Sequence, residues 1–268
     1  MHQSLPTKIK AFFFHPLFLI FISPLAYILI GTIYAAQLST VNSLLVIGLY
    51  LFILMNQFLE KIIATEFQKE NKKIKASLLI IEAINLLIIS SLTLSSHLLI
   101  GLLLVFYSIL IQGQIYFKEN DLKWLLISMK AIFKGGILTY ISFFIQLFFI
   151  PNTIFLWSVP SILLALIIEL TDHTIKAKQP ESLKKNRLLA LSLLIFLYIS
   201  SIFILSLSFS YFSLLLLISL PTAWNLLSLY RASARTKSFS IKLKQLNLFA
   251  IIFLFLFALV ISTKTFLQ

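Results

Sequence analysis

One stretch of the sequence decides the fold class: residues 188–230 read LLALSLLIFLYISSIFILSLSFSYFSLLLLISLPTAWNLLSLY and carry no formal charge over 43 positions. A bilayer core about 30 Å thick is crossed by ~20 helical residues, so this stretch is long enough to cross twice. Its middle, at 206–210, is the serine-rich segment SLSFS, which favours a turn between antiparallel helices. The stretch therefore predicts a transmembrane helical hairpin.

The composition of the whole chain agrees with a membrane protein. Of 268 residues, 60% are hydrophobic and 12% are charged, and the mean hydropathy is +1.01. Soluble domains are roughly a quarter charged, so a soluble enzyme, a disordered protein and a nucleic-acid-binding domain are excluded. The net charge of +13 is interpreted as basic loops beside a lipid bilayer. The absence of cysteine excludes disulfides, Cys-ligated metal sites and thiol nucleophiles.

Four further stretches nearly free of charge complete the count of helices. They hold 49, 42, 34 and 19 residues, and Glu82 is the one charged residue among them. Three are long enough for two crossings and the last for one. We therefore predict an all-α polytopic membrane protein with nine transmembrane helices in a single domain, 1–268. The stretches are 11–59, 76–117, 135–168 and 245–263, and the predicted helices are about 12–36, 43–60, 77–95, 98–117, 131–150, 154–172, 188–206, 211–230 and 245–263.

The basic residues predict the orientation. In a nine-helix topology, 21 of the 22 lysines and arginines fall on one side, and only Lys264 falls on the other. The positive-inside rule makes that side cytoplasmic, with the N-terminus inside and the protein integral to the plasma membrane. The first apolar segment is expected to be retained as a helix rather than cleaved as a signal peptide. The basic groups are Lys8 with Lys10, 61–75, 118–134, 176–187 and 231–244.

The acidic residues lie on the same side, and some lie inside predicted helices. Asn56 and Glu60 are four residues apart and share a helix face, as do Glu169 and Asp172, which are three apart. Carboxylates in apolar helices are costly and usually face a bundle interior. Mg²⁺ prefers one or two carboxylates together with water and substrate phosphates. The two sets therefore suggest a Mg²⁺–diphosphate site, whereas other acids could simply balance a basic surface.

The two acidic sets occupy equivalent places in the predicted topology. One closes the second helix of a block at about 11–117, and the other closes the second helix of a block at 131–230, with 245–263 as an extra helix. Membrane proteins often duplicate such blocks and place their site between them. We therefore predict a pseudo-repeat with a site at its centre.

At this point the chain resembles the UbiA superfamily of intramembrane prenyltransferases. The segment 56–64, NQFLEKIIA, is similar to the family's first motif, Asn-Asp-x-x-Asp-x-x-x-Asp, at Asn56 and Glu60. Asp172 resembles the first acid of the second motif, and Lys130 resembles the lysine of a Tyr-x-x-x-Lys element before helix five. The chain departs from the family at Gln57, Ala64, Leu126 and Gln179, where the family has three acids and a tyrosine.

The resemblance implies nine helices around a central cavity and prenyl transfer from a polyprenyl diphosphate to a membrane-soluble, quinone-precursor-like aromatic acceptor. Mg²⁺ would draw charge from the leaving diphosphate. The resemblance implies three sets of residues: Asn56, Glu60 and Asp172 as the principal catalytic and Mg²⁺-binding residues, Glu66, Glu169 and Glu181 as further metal ligands, and Lys61, Lys130 and Arg187 on diphosphate oxygens.

Two other functions stay open from the residues alone. The lost acids are compatible with a catalytically weak or inactive protein that binds an isoprenoid lipid. A small transporter would also have a block repeat. Against a transporter, the predicted helices have no charge at a midpoint and no matching pair broken by proline or glycine. Gly135 and Gly136 are expected to permit close helix packing rather than to bind phosphate.

Overall fold

The computed structural model describes residues 16–66, 72–177, 180–230 and 239–263. Every regular element within these ranges is helical. Eight of the described helices are long and apolar enough to cross a membrane. The prediction of an all-α, multi-pass integral membrane protein is therefore confirmed.

The helices follow one another with short connections. Two segments depart from α-helical geometry: a π-helical turn at Ile132–Ile137 and a 3₁₀ segment at Ser210–Ser219. The α-helices are α1 (Pro16–Ala36), α2 (Ser43–Glu66), α3 (Lys72–Ser95), α4 (Leu98–Gln112), α5 (Gln114–Glu119), α6 (Lys123–Ala131), α7 (Leu138–Leu147), α8 (Asn152–Ala177), α9 (Pro180–Phe209), α10 (Leu220–Ser228) and α11 (Phe239–Ser262).

The fourth predicted span, 98–117, is divided between two helices. α4 holds 15 residues, fewer than the ~20 that cross a bilayer core. Gly113 separates it from α5, although hydrogen bonds from the Gly113 N–H to Ile109 O and from the Phe117 N–H to Gly113 O keep the chain wound through the break. The count of nine crossings therefore stays a prediction.

The fifth predicted span begins too late in the sequence. The apolar span is Lys123–Leu147, made of α6, the π-helical turn and α7, whereas the prediction was 131–150. The prediction placed Lys130 before this helix and counted both Lys130 and Lys134 among the basic loop charges, because charged residues ordinarily mark helix ends. In the structure both lysines belong to the span, since acidic partners neutralise them inside the protein.

The described residues form two large apolar cores and two small apolar clusters. The first is built from α2, α3, α4, α6 and α7 and includes Phe52, Leu104 and Leu138. The second is built mainly from α1, α8, α9, α10 and α11 and includes Leu164 and Phe253. The cores do not coincide with the predicted blocks, because α1 packs largely in the second core and α7 in the first. The two halves therefore interlock through their first helices, while the repeat itself stays a prediction.

Two glycines bring three helices into unusually close contact. A Cβ on Gly135 would lie 2.4 Å from Ile162 N and from the Ser161 carbonyl in α8. A Cβ on Gly31 of α1 would lie 2.1 Å from Ser142 Oγ and 2.4 Å from Thr139 O in α7. The prediction that Gly135 serves helix packing is confirmed. Gly135 also fixes the distance between α8 and the neighbouring residue, Lys134.

Candidate functional site

Four charged side chains meet between the two cores, and we refer to Glu60, Lys130, Lys134 and Glu169 as the charge cluster. Glu60 lies in the last part of α2, Lys130 in the last turn of α6, Lys134 in the π-helical turn and Glu169 in α8. Three different spans therefore contribute to it. All four residues belong to apolar helices long enough to cross a membrane.

The charges of the cluster alternate along a chain of contacts. Lys134 Nζ donates to Glu169 Oε1 at 2.5 Å and to Glu60 Oε2 at 3.3 Å. Lys130 Nζ donates to the other oxygen of Glu60. Lys134 therefore bridges two carboxylates from helices that belong to different cores. The ammonium and carboxylate charges sum to zero across the four residues.

The cluster is shielded from solvent. The side chains of Lys130, Glu169 and Lys134 are 6%, 11% and 13% exposed, and that of Glu60 is 22% exposed. An isolated ion at such a position would be very costly, but paired charges with further hydrogen bonds are tolerated. Gln114 of α5 supplies one such bond, since its amide oxygen accepts from Lys130 Nζ at 3.4 Å, and its amide nitrogen donates to the backbone carbonyl of Glu60 at 3.2 Å.

The π-helical turn and two tyrosines complete the surroundings of Lys134. π-Helical turns are rare and frequently occur at functional sites. Here the turn contains both Lys134 and Gly135, so it combines the central ammonium with the closest approach to α8. Tyr27 of α1 and Tyr107 of α4 are buried within electrostatic range of Lys134, Glu60 and Glu169. Their hydroxyl groups add neutral polar atoms near the cluster.

Asn56, a predicted metal ligand, instead links three helices of the first core. Its Nδ2 donates to Phe52 O at 2.9 Å and to Asn85 Oδ1 of α3 at 3.2 Å. Asn85 in turn donates to Ser108 Oγ of α4 at 3.0 Å. The remaining acceptor, Asn56 Oδ1, is buried and accepts no hydrogen bond from the part of the chain that the structure describes.

The other predicted site residues divide into three groups. Asp172 is half-buried on α8, three residues after Glu169, and thus about 4.5 Å further along the helix axis. Lys61 and Arg187, predicted diphosphate ligands, have exposed side chains. The side chains of Glu66 and Glu181 lie outside the described residues. The structure thus brings together Glu60, Glu169 and Lys130, and the roles assigned to all of these residues stay predictions.

Lys134 is the cluster residue that the sequence prediction missed. It was counted among loop charges, although it falls inside the predicted span 131–150, between Phe133 and Gly135. A charge inside an apolar segment was the same signal that pointed to Glu60 and Glu169. In the structure Lys134 lies near the middle of the 25-residue span Lys123–Leu147. The expectation that no charge lies at a helix midpoint was therefore wrong.

The charge cluster does not fit a bound Mg²⁺ in the arrangement shown. The space between the carboxylates of Glu60 and Glu169, where a divalent ion would lie, holds the ammonium of Lys134. The residues described in the structure also include no group of three acidic, histidine or cysteine side chains able to hold a metal. The binding of Mg²⁺ therefore stays a prediction.

The chemistry that the cluster offers is that of a buried cation pair held by carboxylates. Lys130 and Lys134 are strong donors for an anionic group, and Glu60 and Glu169 compete for the same donors. Comparison with known proteins gives no match to a family model, to a curated protein or to a solved structure.

Proposed function

We propose that this chain is a UbiA-like membrane protein that binds a polyprenyl diphosphate at the charge cluster and has little or no prenyltransferase activity. The observation that carries the proposal is the meeting of Glu60 and Glu169 with Lys130 inside the protein. These residues lie on three spans and were selected from the sequence. Ionisable residues within membrane spans usually mark a functional site.

Binding of the diphosphate is an exchange of partners. Lys130 and Lys134 release the carboxylates of Glu60 and Glu169 and donate to phosphate oxygens instead. The isoprenoid tail is apolar, so its contact with apolar side chains of the protein is favourable. Since the cluster is neutral before binding, the affinity depends on how well the phosphate competes with the carboxylates.

Weak prenyl transfer is expected because Gln57 and Lys134 do not help to hold a metal ion. Gln57, which stands where the family has an acid, donates to Ser23 Oγ of α1 at 3.3 Å and so contributes to helix packing. Lys134 occupies the space between the two carboxylates. A metal is the usual means of drawing charge from a leaving diphosphate, and without it the allylic C–O bond breaks slowly. The chain is therefore expected to hold the lipid without turning it over.

The decisive experiment uses the purified chain in nanodiscs, with a panel of polyprenyl diphosphates and an aromatic lipophilic acceptor, with and without Mg²⁺. We expect saturable binding that weakens at least about tenfold, roughly 1.4 kcal/mol, in Lys130→Met. Lys123→Met, at a partly exposed position outside the cluster, is the matched control and should bind normally. No diphosphate should be released.

Two results would contradict this proposal. Absence of saturable binding of any polyprenyl diphosphate would refute the proposal. Mg²⁺-dependent release of diphosphate that is lost in Glu60→Ala and Asp172→Ala would instead establish an active prenyltransferase with the metal ligands that the resemblance implies.

The proposal includes the finer topology: nine crossings around a central cavity, in the plasma membrane, with basic loops in the cytoplasm. This topology can be tested by cysteine labelling, because the chain has no cysteine of its own that would react. Single cysteines at the exposed positions Ser95 and Asn120 flank α4 and α5. In intact cells, a membrane-impermeant thiol reagent should label Ser95→Cys and spare Asn120→Cys. Labelling of both would show that this segment does not cross.

A transporter is the second candidate, and the observation that favours it is Lys134. This residue pairs with carboxylates near the middle of a span, in a π-helical turn between two packed halves. Intramembrane ionisable pairs of this kind also form ion and proton pathways. Proton flux into proteoliposomes under an imposed potential, abolished in Glu169→Gln, would favour this function. Absence of proton flux, together with saturable binding of the polyprenyl diphosphate, would favour the lipid-binding function.

A further inference from the structure

The ammonium of Lys134 stands in the position of a metal ion. Its nitrogen contacts Glu169 Oε1 at 2.5 Å and Glu60 Oε2 at 3.3 Å, so two carboxylates from separate spans point at one cation. Two carboxylates converging on one point is also how proteins present oxygen ligands to Mg²⁺, at about 2.0–2.1 Å. The charge cluster thus has the oxygen atoms of a divalent site but a lysine at its centre.

We infer that Lys134 is a tethered cation that replaces a divalent metal ion between Glu60 and Glu169, so that the ligand-free protein binds no divalent ion there. The inference concerns the same residues as the proposed function but does not depend on any lipid. A protein that failed to bind polyprenyl diphosphate would still test it.

The charge balance supports this inference. Two lysines and two glutamates leave the cluster neutral. A divalent ion added to a neutral, buried cluster would bring two uncompensated charges into the protein interior, which is strongly unfavourable. Removal of Lys134 leaves one net negative charge and two carboxylates without the nitrogen that they share. That arrangement attracts a cation.

Lys130 and Lys134 carry the same charge but differ in the carboxylates that they contact. Lys130 contacts Glu60 and Gln114, whereas Lys134 contacts both carboxylates. Lys130→Met and Lys134→Met remove the same charge and create side chains of the same kind. Only Lys134→Met vacates the place between Glu60 and Glu169. The two variants therefore form a matched pair.

The test measures binding of Mn²⁺, by loss of the free-ion electron paramagnetic resonance signal, to the purified full chain in nanodiscs without added lipid ligand. Wild type and Lys130→Met should bind no Mn²⁺ at the cluster. Lys134→Met should bind one ion per chain, and the double variant Lys134→Met/Glu169→Gln should lose it. Mn²⁺ should also raise the unfolding temperature of Lys134→Met and leave that of wild type unchanged, because an ion that binds only the folded state stabilises it.

Three results would overturn the inference. The first is Mn²⁺ binding by wild type that is lost in Glu169→Gln. The second is Mn²⁺ binding by Lys130→Met that equals the binding by Lys134→Met. The third is a folded Lys134→Met variant that binds no Mn²⁺. Lys134→Gln serves as a second variant if the methionine variant does not fold, and the wild-type measurement decides the first point independently of both. Mn²⁺ binding by wild type would leave lipid binding intact, so the two proposals fail separately.

Discussion

The charge cluster and the ion pair between Asp121 and Lys123 use the same chemistry at different depths. In the surface pair, Lys123 Nζ lies 2.8 Å from Asp121 Oδ1, and the two side chains are 44% and 87% exposed. In the cluster the side chains are 6–22% exposed. Water can replace either partner on the surface but not in the interior, so only the buried charges depend on one another. Burial, rather than pairing, makes an ion pair consequential for the fold.

The largest effect is expected from Lys134→Met in metal-free buffer. It leaves the buried carboxylate of Glu169 without its lysine, and breaking a buried pair costs about 3–5 kcal/mol. Lys134→Met/Glu169→Gln should be more stable than the single variant, because it restores the balance of charge. Unfolding of the purified variants in detergent would measure both. A double variant no more stable than Lys134→Met would show that the two charges are not coupled.

Gly135→Ala is expected to have the next largest effect. Its Cβ would meet the backbone of Ser161 and Ile162 at 2.4 Å, and a backbone cannot rotate away. Overpacking of this kind costs about 1–3 kcal/mol, and moving α8 outward would also lengthen the contact between Lys134 and Glu169. Gly48→Ala is the matched control, because its new Cβ would meet the flexible end of Leu92 at 3.0 Å. Equal loss of stability in both variants would contradict the close contact.

A smaller effect is expected from Asn85→Leu. The change removes two hydrogen bonds that join α3 to Asn56 and Ser108, and bonds between membrane helices contribute about 0.6 kcal/mol each on average. Gln112→Leu is the control, since Gln112 is exposed and bonds to Ser108 within its own helix at 3.4 Å. Denaturation curves of the two variants should differ. If they coincide, the buried polar chain contributes nothing measurable.

The smallest effect is expected from Asp121→Asn. The hydrogen bond and charge of Lys123 hold the pKa of Asp121 below its ordinary value. The contribution of the pair is therefore present above the ordinary carboxyl pKa of about 3.9 and is lost as the pH falls through the lower folded value. Asparagine also tolerates the left-handed backbone at this position, where φ is 56°. Unfolding temperatures of wild type and variant at pH 7 should coincide, and a large difference would refute the contrast with the cluster.

The sequence predicted helices well where charge separates apolar stretches. The predicted spans 154–172 and 188–206 lie within three residues of the apolar spans Asn152–Ile175 and Asn186–Leu207. The same rule failed for the fifth span, because Lys130 and Lys134 are charges that do not mark a helix end. Their partners are separated from them by 70, 74 and 35 residues in the sequence. No local pattern reveals which distant acid will neutralise a lysine.

Some residues of the candidate site could be predicted from the sequence and others could not. Glu60 and Glu169 could be selected from the sequence because carboxylates in apolar helices are expensive, and Lys130 was selected through the resemblance. Lys134 was missed by the sequence prediction. Asn56 was predicted as a metal ligand, a role that stays a prediction, and in the structure its amide bonds to Asn85 of α3. Helix periodicity predicts which face a residue shares, whereas the neighbouring helix decides what that face contacts.

Composition and the spacing of charges alone determined that this chain is a helical membrane protein, because the hydrophobic thickness of a bilayer sets how many uncharged residues a crossing needs. Only the tertiary structure decided that Lys134 lies between Glu60 and Glu169. That contact depends on the close approach at Gly135 and on the packing of three spans, which are properties of helices meeting in space. Whether a buried charge is a loop residue, a ligand or an internal counter-ion is settled by its neighbours, since electrostatic energy depends on distance and burial rather than on order along the chain.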